Sequence, residues 1–204
     1  MSRYLRLLPL ACAAGVVAAC GVSPNPRFQT IDAYVAAHNR YQPDSAVAYF
    51  TQDAKFVLEG QDSAVGRANI QRVEESNAAL HDQLTPMDYV ESGDTVFVHT
   101  MGERNDWFGG LGIDQVFHKN GMAFIFKGNQ IAEVRVKPFN AATQATLDSA
   151  RVAFTSWAHQ NRPTQLASAM PNGQMGRTPD ALNDLRMLLH EWSLHRAATT
   201  PTAD

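Results

Sequence analysis

From Phe28 onward the apolar positions recur in a helical rhythm: Phe28, Ile31, Tyr34, Val35 and His38 fall at three- and four-residue steps on one stripe. Pro43-Asp44-Ser45 opens a short second helix through Phe50, with proline suited to a first turn. The rhythm then tightens to a short strand over 55–59, where Phe56 and Val57 are β-prone and Gly60 ends the run. Gly66-Arg67 starts another helix with Ile70, Val73 and Leu80 on its inner face. Strands follow over about 83–91, 95–103, 115–127 and 130–138, with Gly93-Asp94 and Gly128-Asn129 at two of the turns. After Pro138 the helical period returns. Leu147, Phe154 and Trp157 share one face, and Thr178-Pro179-Asp180 caps a last helix that carries Leu182, Leu185, Leu189 and Trp192 inward.

This order predicts an α+β fold: a curved, cone-shaped antiparallel sheet wrapped against N-terminal helices, with a C-terminal helical extension. The expected boundaries are 28–138 for the α+β domain, 139–196 for the extension and 197–204 for a disordered tail. The tail helices are expected to cover one end of the sheet, with a partner-binding face as the alternative.

The first twenty residues have a different pattern. Arg3 and Arg6 precede an apolar run from Leu7 to Val17, and Val17-Ala18-Ala19 leads directly into Cys20. A basic head, a short apolar run and small residues make a secretion signal over 1–19. The run is about half the roughly 20 residues a bilayer-spanning helix needs. Small residues before Cys20 resemble the lipobox of bacterial lipoproteins, which implies acyl chains on that thiol. Residues 20–27 then read as the lipidated cysteine and a tether, of which the seven residues after Cys20 reach about 25 Å at most. The expected address is the cell envelope, lipid-anchored and extracytoplasmic. Gly21 in place of aspartate favours the outer membrane in a Gram-negative host.

Composition narrows the chemistry. Both cysteines, Cys12 and Cys20, lie at or before the expected cleavage point, so no disulfide and no thiol nucleophile is expected. Cleavage would remove Arg3 and Arg6, leaving fifteen basic against twenty acidic residues, a charge of about −5. An acidic domain lacks the electrostatic footprint of nucleic-acid binding. The expected partners are the membrane, through the acyl chains on Cys20, a small-molecule ligand, and a second copy of the chain. No cofactor or metal is expected: the seven histidines are scattered, and His190 and His195 are five apart. Gly109-Gly110-Leu111-Gly112 lacks the context of a phosphate loop and reads as a turn.

Tyr49 to Phe56 and Gly66-Arg67-Ala68-Asn69-Ile70 resemble the nuclear transport factor two-like (SnoaL-like) superfamily over about residues 28–138. The resemblance implies a pocket between the first helices and the concave sheet face, and leaves function open because this fold hosts both enzymes and binding modules. The ketosteroid isomerase pattern would align its oxyanion-hole tyrosine with Tyr34. It would set Leu58 at the general base and Met122 near the second oxyanion donor, so proton abstraction beside a carbonyl is not expected. The stretches 103–108, 111–113, 124–126 and 128–131 resemble uncharacterised secreted or lipid-anchored members, which imply no reaction.

The candidate ligand-binding residues are Tyr34, His99, Glu103, Arg104, Asp106 and Trp107. Glu103 to Trp107 groups two carboxylates, a guanidinium, an amide and an indole at a strand end. Such a set can line a pocket mouth, with Asp106 as a base, or can be a turn satisfied by its own backbone. His99 is read on the strand face of Phe97, Met101 and Glu103, pointing into the pocket or outward according to which face is concave. Tyr34 and His38 stack four apart, with Tyr34 the pocket candidate and His38 a boundary residue. Asp106, His99 and Tyr34 are the catalytic candidates. The leading expectation is a binding module, and the alternative is a lyase, isomerase or hydrolase.

Overall fold

The computed structural model describes residues 25–60 and 63–199. Cys20, its signal and most of the tether lie outside the described residues. The order is α1 (Pro26–Asn39), α2 (Pro43–Val47), β1 (Phe50–Leu58), β2 (Ala64–Val65), α3 (Arg67–Ala79), β3 (Gln83–Ser92) and β4 (Thr95–Arg104). A short α4 (Asp106–Leu111), β5 (Val116–Lys127) and β6 (Gln130–Val136) complete the sheet region. Helices α5 (Ala141–Asn161), α6 (Pro163–Ala169) and α7 (Pro179–Thr199) follow, with a single 3-10 turn at Pro171–Gly173.

The strands form one six-stranded sheet in the order β2-β1-β6-β5-β4-β3. It is mixed rather than wholly antiparallel: β1 runs parallel to β6, with Phe56 opposite Val134. The same pairing explains why β1 begins at Phe50, five residues earlier than its polar sequence suggests. Phe50 and Ala54 are fully buried against the sheet neighbours, and that burial overrides the weak β-propensity of Thr51-Gln52-Asp53.

Helix α1 lies across the concave face, burying Ile31, Tyr34 and Val35 against Val96, Phe124 and Val134 in the main core. Strands β3, β4 and β5 kink together near their middles. Asp88 and Asn120 have φ of 62° and 51°, and the β4–β5 register shifts between Val98 and Thr100. Above the kink Val96 and Val98 face inward; below it Met101 does. The simple alternation that groups Phe97, His99, Met101 and Glu103 on one face therefore fails at His99.

A second core joins α5, α6 and α7 to the end of the cone, with Phe154, Leu182, Leu185, Leu188 and Trp192 packed around Leu80 and Leu111. The last helix begins as the sequence predicts, with Thr178 Oγ1 accepting from Ala181 N at 3.2 Å, and continues to Thr199. Helix α4 is new. Asn105 caps it by accepting from Phe108 N at 3.0 Å, and Gly112 ends it at φ 86°. A Cβ on Gly110 would stand 2.6 Å from Leu189 Cβ, so glycine is what lets α4 and α7 approach. The stretch 109–112, expected as a turn, is the second half of this helix and its cap.

Candidate functional site

The helices and strand ends converge on a chain of buried polar groups at the end of the cone that the C-terminal helices cover. Asn39, in the last turn of α1, exchanges two hydrogen bonds of 2.8 Å with the Leu84 backbone and so fixes α1 against β3. That contact brings His38 between Glu74 of α3 and Asp82, which precedes β3. His38 Nδ1 is 2.7 Å from Glu74 Oε2, and Nε2 is 3.2 Å from Asp82 Oδ2. The second contact is poorly aligned for a hydrogen bond and acts chiefly as charge attraction. Tyr34 Oη donates to the other Glu74 oxygen at 3.0 Å.

The chain continues through Asn105. Its amide donates to Asp82 Oδ1 at 2.9 Å and to Glu103 Oε1 at 3.2 Å, while its oxygen caps α4. Glu103 Oε2 meets His118 Nε2 at 2.7 Å, and the His118 ring packs on Phe139 with centroids 4.3 Å apart. Seven side chains thus link five secondary elements and the turn before β3.

The electrostatics follow from burial and pairing. Burial alone would lower the His38 pKa, but the contacts of Asp82 and Glu74 outweigh it and lift the imidazole to about 10. The C-terminal end of α1 also favours its positive charge. Burial, then the Glu74 charge and hydrogen bond, push the Tyr34 phenol well above its ordinary value. Glu103 is raised, first by burial and then by the nearby Asp82, with His118 pulling the other way.

The candidate residues divide accordingly. Tyr34 and Glu103 belong to the buried chain. His99 is exposed on the outer side of the sheet. Arg104 is exposed and donates through Nε to Gln83 at 2.7 Å. Asp106 is held at the surface by His81 Nδ1 and Arg186 Nε, each 2.9 Å from Oδ2, so it is a paired helix-start carboxylate. Trp107 turns away from the cone interior, edge-on to Phe154 at 5.9 Å between ring centroids. His38, read as a boundary residue, is 3 % exposed and central. Asn105, the amide of the 103–107 stretch, caps local backbone as one of the two sequence readings has it, whereas Glu74, Asp82 and His118 carry no signal in the sequence. Glu74 was legible only as an acid one step beyond Val73, a position that carries no chemical signature. No three His, Cys, Asp or Glu side chains among the described residues are grouped so as to hold a metal ion.

Beside this end of the cone lies an open cleft of about 1670 Å³. One wall is α3, through Asn69, Arg72, Val73 and Ser76; the other is the segment 170–177 leading into α7, and Trp107 and Arg151 also border it.

The mixed, curved sheet closed by α1 and α3 is the SnoaL-like α+β cone, the fold of nuclear transport factor two-like proteins. Among solved structures with this fold, a Mycobacterium tuberculosis epoxide hydrolase of the LEH-like type aligns with a TM-score of 0.50 at 13% identity, covering 64% of this chain and 96% of that one. The epoxide hydrolase/cyclase-like enzyme SalBIII of pyran ring formation in salinomycin aligns at 0.48 with 21% identity, covering 54% and 88%. An NTF2-like protein from Cytophaga hutchinsonii aligns at 0.46 with 10% identity, covering 58% and 94%. No family model matches the chain. No curated protein matches it.

Proposed function

We propose that the protein is a lipid-anchored, extracytoplasmic module of the bacterial envelope that binds a small ligand in the cleft beside α3. On this reading the polar groups inside the cone are structural. The observation that carries it is His38, buried between two carboxylates, bonded through Nδ1 to Glu74 and held by charge beside Asp82. A general acid or base must exchange its proton near working pH. With its pKa lifted to about 10, His38 keeps its proton there, and Tyr34 spends its own on Glu74.

The anchor reading rests on the run from Arg3 to Cys20. Among the described residues no helix is long and apolar enough to cross a membrane, so acyl chains on Cys20 would supply the attachment. Wild-type protein should enter the detergent phase on phase separation and Cys20→Ala should not; unchanged partitioning would refute the anchor. Native mass spectrometry of protein released from membranes should show a bound small molecule. A second copy is proposed on the outer sheet face, where Met87, Val90, Phe97 and Phe117 are each 39–44% exposed. A monomeric mass by light scattering would exclude it.

One observation favours a second reading. Glu103 is a carboxyl with raised proton affinity and a histidine partner, the equipment of a general acid. Conversion of the co-purified molecule by wild type, lost in Glu103→Gln, would establish an enzyme in place of a binding module.

A further inference from the structure

The cleft's charge differs in sign from that of the molecule around it. The chain carries −3 overall, yet the charged side chains lining the cleft, among the described residues, are Arg72, Arg151, Arg177 and one acid, Glu75. The three arginines come from α3, from α5 and from the segment before α7. Helix α3 and the C-terminal helices must both be in place for them to line one cleft.

Among the described residues neither Arg72 nor Arg177 is paired with a carboxylate, and Arg151 has one loose, exposed ion pair. Arg72 donates only to the Asn69 side-chain oxygen, at 3.2 Å. Arg151 has Asp148 at 3.8 Å, an exposed pair one helical turn away. All three guanidinium side chains are solvent-exposed, so they are available to a ligand at little desolvation cost. Guanidinium groups in this state suit an acceptor with two or more anionic oxygens, which they hold through paired charge-assisted hydrogen bonds.

The same cleft has an apolar side. Trp107, Met170 and Met175 border it, and they belong to or pack against the core of the C-terminal helices. Methionine side chains adapt to ligands of irregular shape. Its volume of about 1670 Å³ exceeds the roughly 300–1,000 Å³ usual for a compact small molecule, leaving room for a chain as well as a head group.

Resting on the binding-module reading, we infer that the cleft takes an amphipathic anion: a carboxylate or phosphate head held by Arg72, Arg151 and Arg177, and an apolar tail against Trp107 and the two methionines. The anion can come from a membrane lipid or from a free metabolite bearing the same groups.

The test is calorimetric titration of the full chain in phosphatidylcholine nanodiscs. The probes are octyl phosphate, octanoate, octyl glucoside and inorganic phosphate, all below micelle-forming concentrations. Octyl phosphate and octanoate are expected to bind at least tenfold more tightly than octyl glucoside, and more tightly than inorganic phosphate. Replacing all three arginines by glutamine should weaken the two anionic amphiphiles at least tenfold and leave octyl glucoside within twofold. Because the arginines are exposed, the circular dichroism of that variant should match wild type. Equal binding of neutral and anionic heads would overturn the inference while leaving the binding module intact. Binding by none of the probes would also overturn it, and the native mass spectrum would then decide the module separately. Prior loading of nanodiscs with phosphatidylglycerol distinguishes the sources: competition with octyl phosphate marks a lipid, and its absence a free anion.

Discussion

The cone interior and the cleft beside it both gather ionisable groups but use them in opposite ways. Inside, Tyr34, His38, Glu74, Asp82, Glu103 and His118 are bonded to one another or through Asn105. In the cleft, Arg72, Arg151 and Arg177 face solvent, with Arg151 alone in a loose exposed pair with Asp148 and Glu75 the one acid on the lining. Buried polar groups that satisfy each other define one packing arrangement. Exposed groups mostly of one sign, beside apolar neighbours, are open to solvent and to whatever it carries. The difference teaches that titratable residues in one fold can be spent on satisfying each other or be left open to solvent.

The largest expected effect breaks the interior chain. His38→Leu leaves Glu74 and Asp82 buried without their shared cation, and should cost about 3–5 kcal/mol in urea unfolding. A loss below about 1 kcal/mol would mean the chain is solvated and open. Adding Glu74→Leu to that variant should recover part of the loss, since one orphaned charge is removed.

Next comes pH. The His38 pKa is raised on folding, so its contribution is fully present below the unfolded value near 6.5. It is lost as pH rises from there towards about 10, lowering stability by a few kcal/mol in order of magnitude. Denaturation midpoints in a pH series should fall across that window in wild type and much less in His38→Leu.

Gly110→Val tests the junction between the two regions. Its side chain would meet Leu189, forcing α4 from α7 and costing about 1–3 kcal/mol, whereas Gly109→Ala, with open space around it, should cost far less. The smallest effects belong to the surface. Arg177→Gln and His99→Ala should each move stability by no more than about 0.5 kcal/mol, and only the arginine should alter anion binding.

The architecture was largely legible because long apolar periodicities survive tertiary packing. The stripe from Ile31 to Val35 and the run from Leu182 to Trp192 are buried faces in the structure as in the sequence pattern, while His38 lies deeper than the boundary position the pattern gives it. Helix α4 was hidden because its six residues include two glycines and its cap, Asn105, reads equally well as a loop residue. The parallel partner of β1 was hidden because Phe50 meets Ile131, about eighty residues away, and no local pattern records that pairing. The site was less legible still. Glu74 and Asp82 are ordinary acids until α1 brings His38 between them, and the kink at Asp88 and Asn120 turns His99 outward against the strand alternation.

Asn105 has a consequence for how the molecule comes apart. One side chain both starts the helix on which α7 rests and ties Asp82 to Glu103 inside the cone. Opening either region therefore releases the other. Amide hydrogens in α4, at the start of β3 and at the end of β4 should exchange with a common opening free energy, as one cooperative unit. A chain ending at residue 138 is then expected to lose amide protection in α4 and at the start of β3, although both lie before the cut.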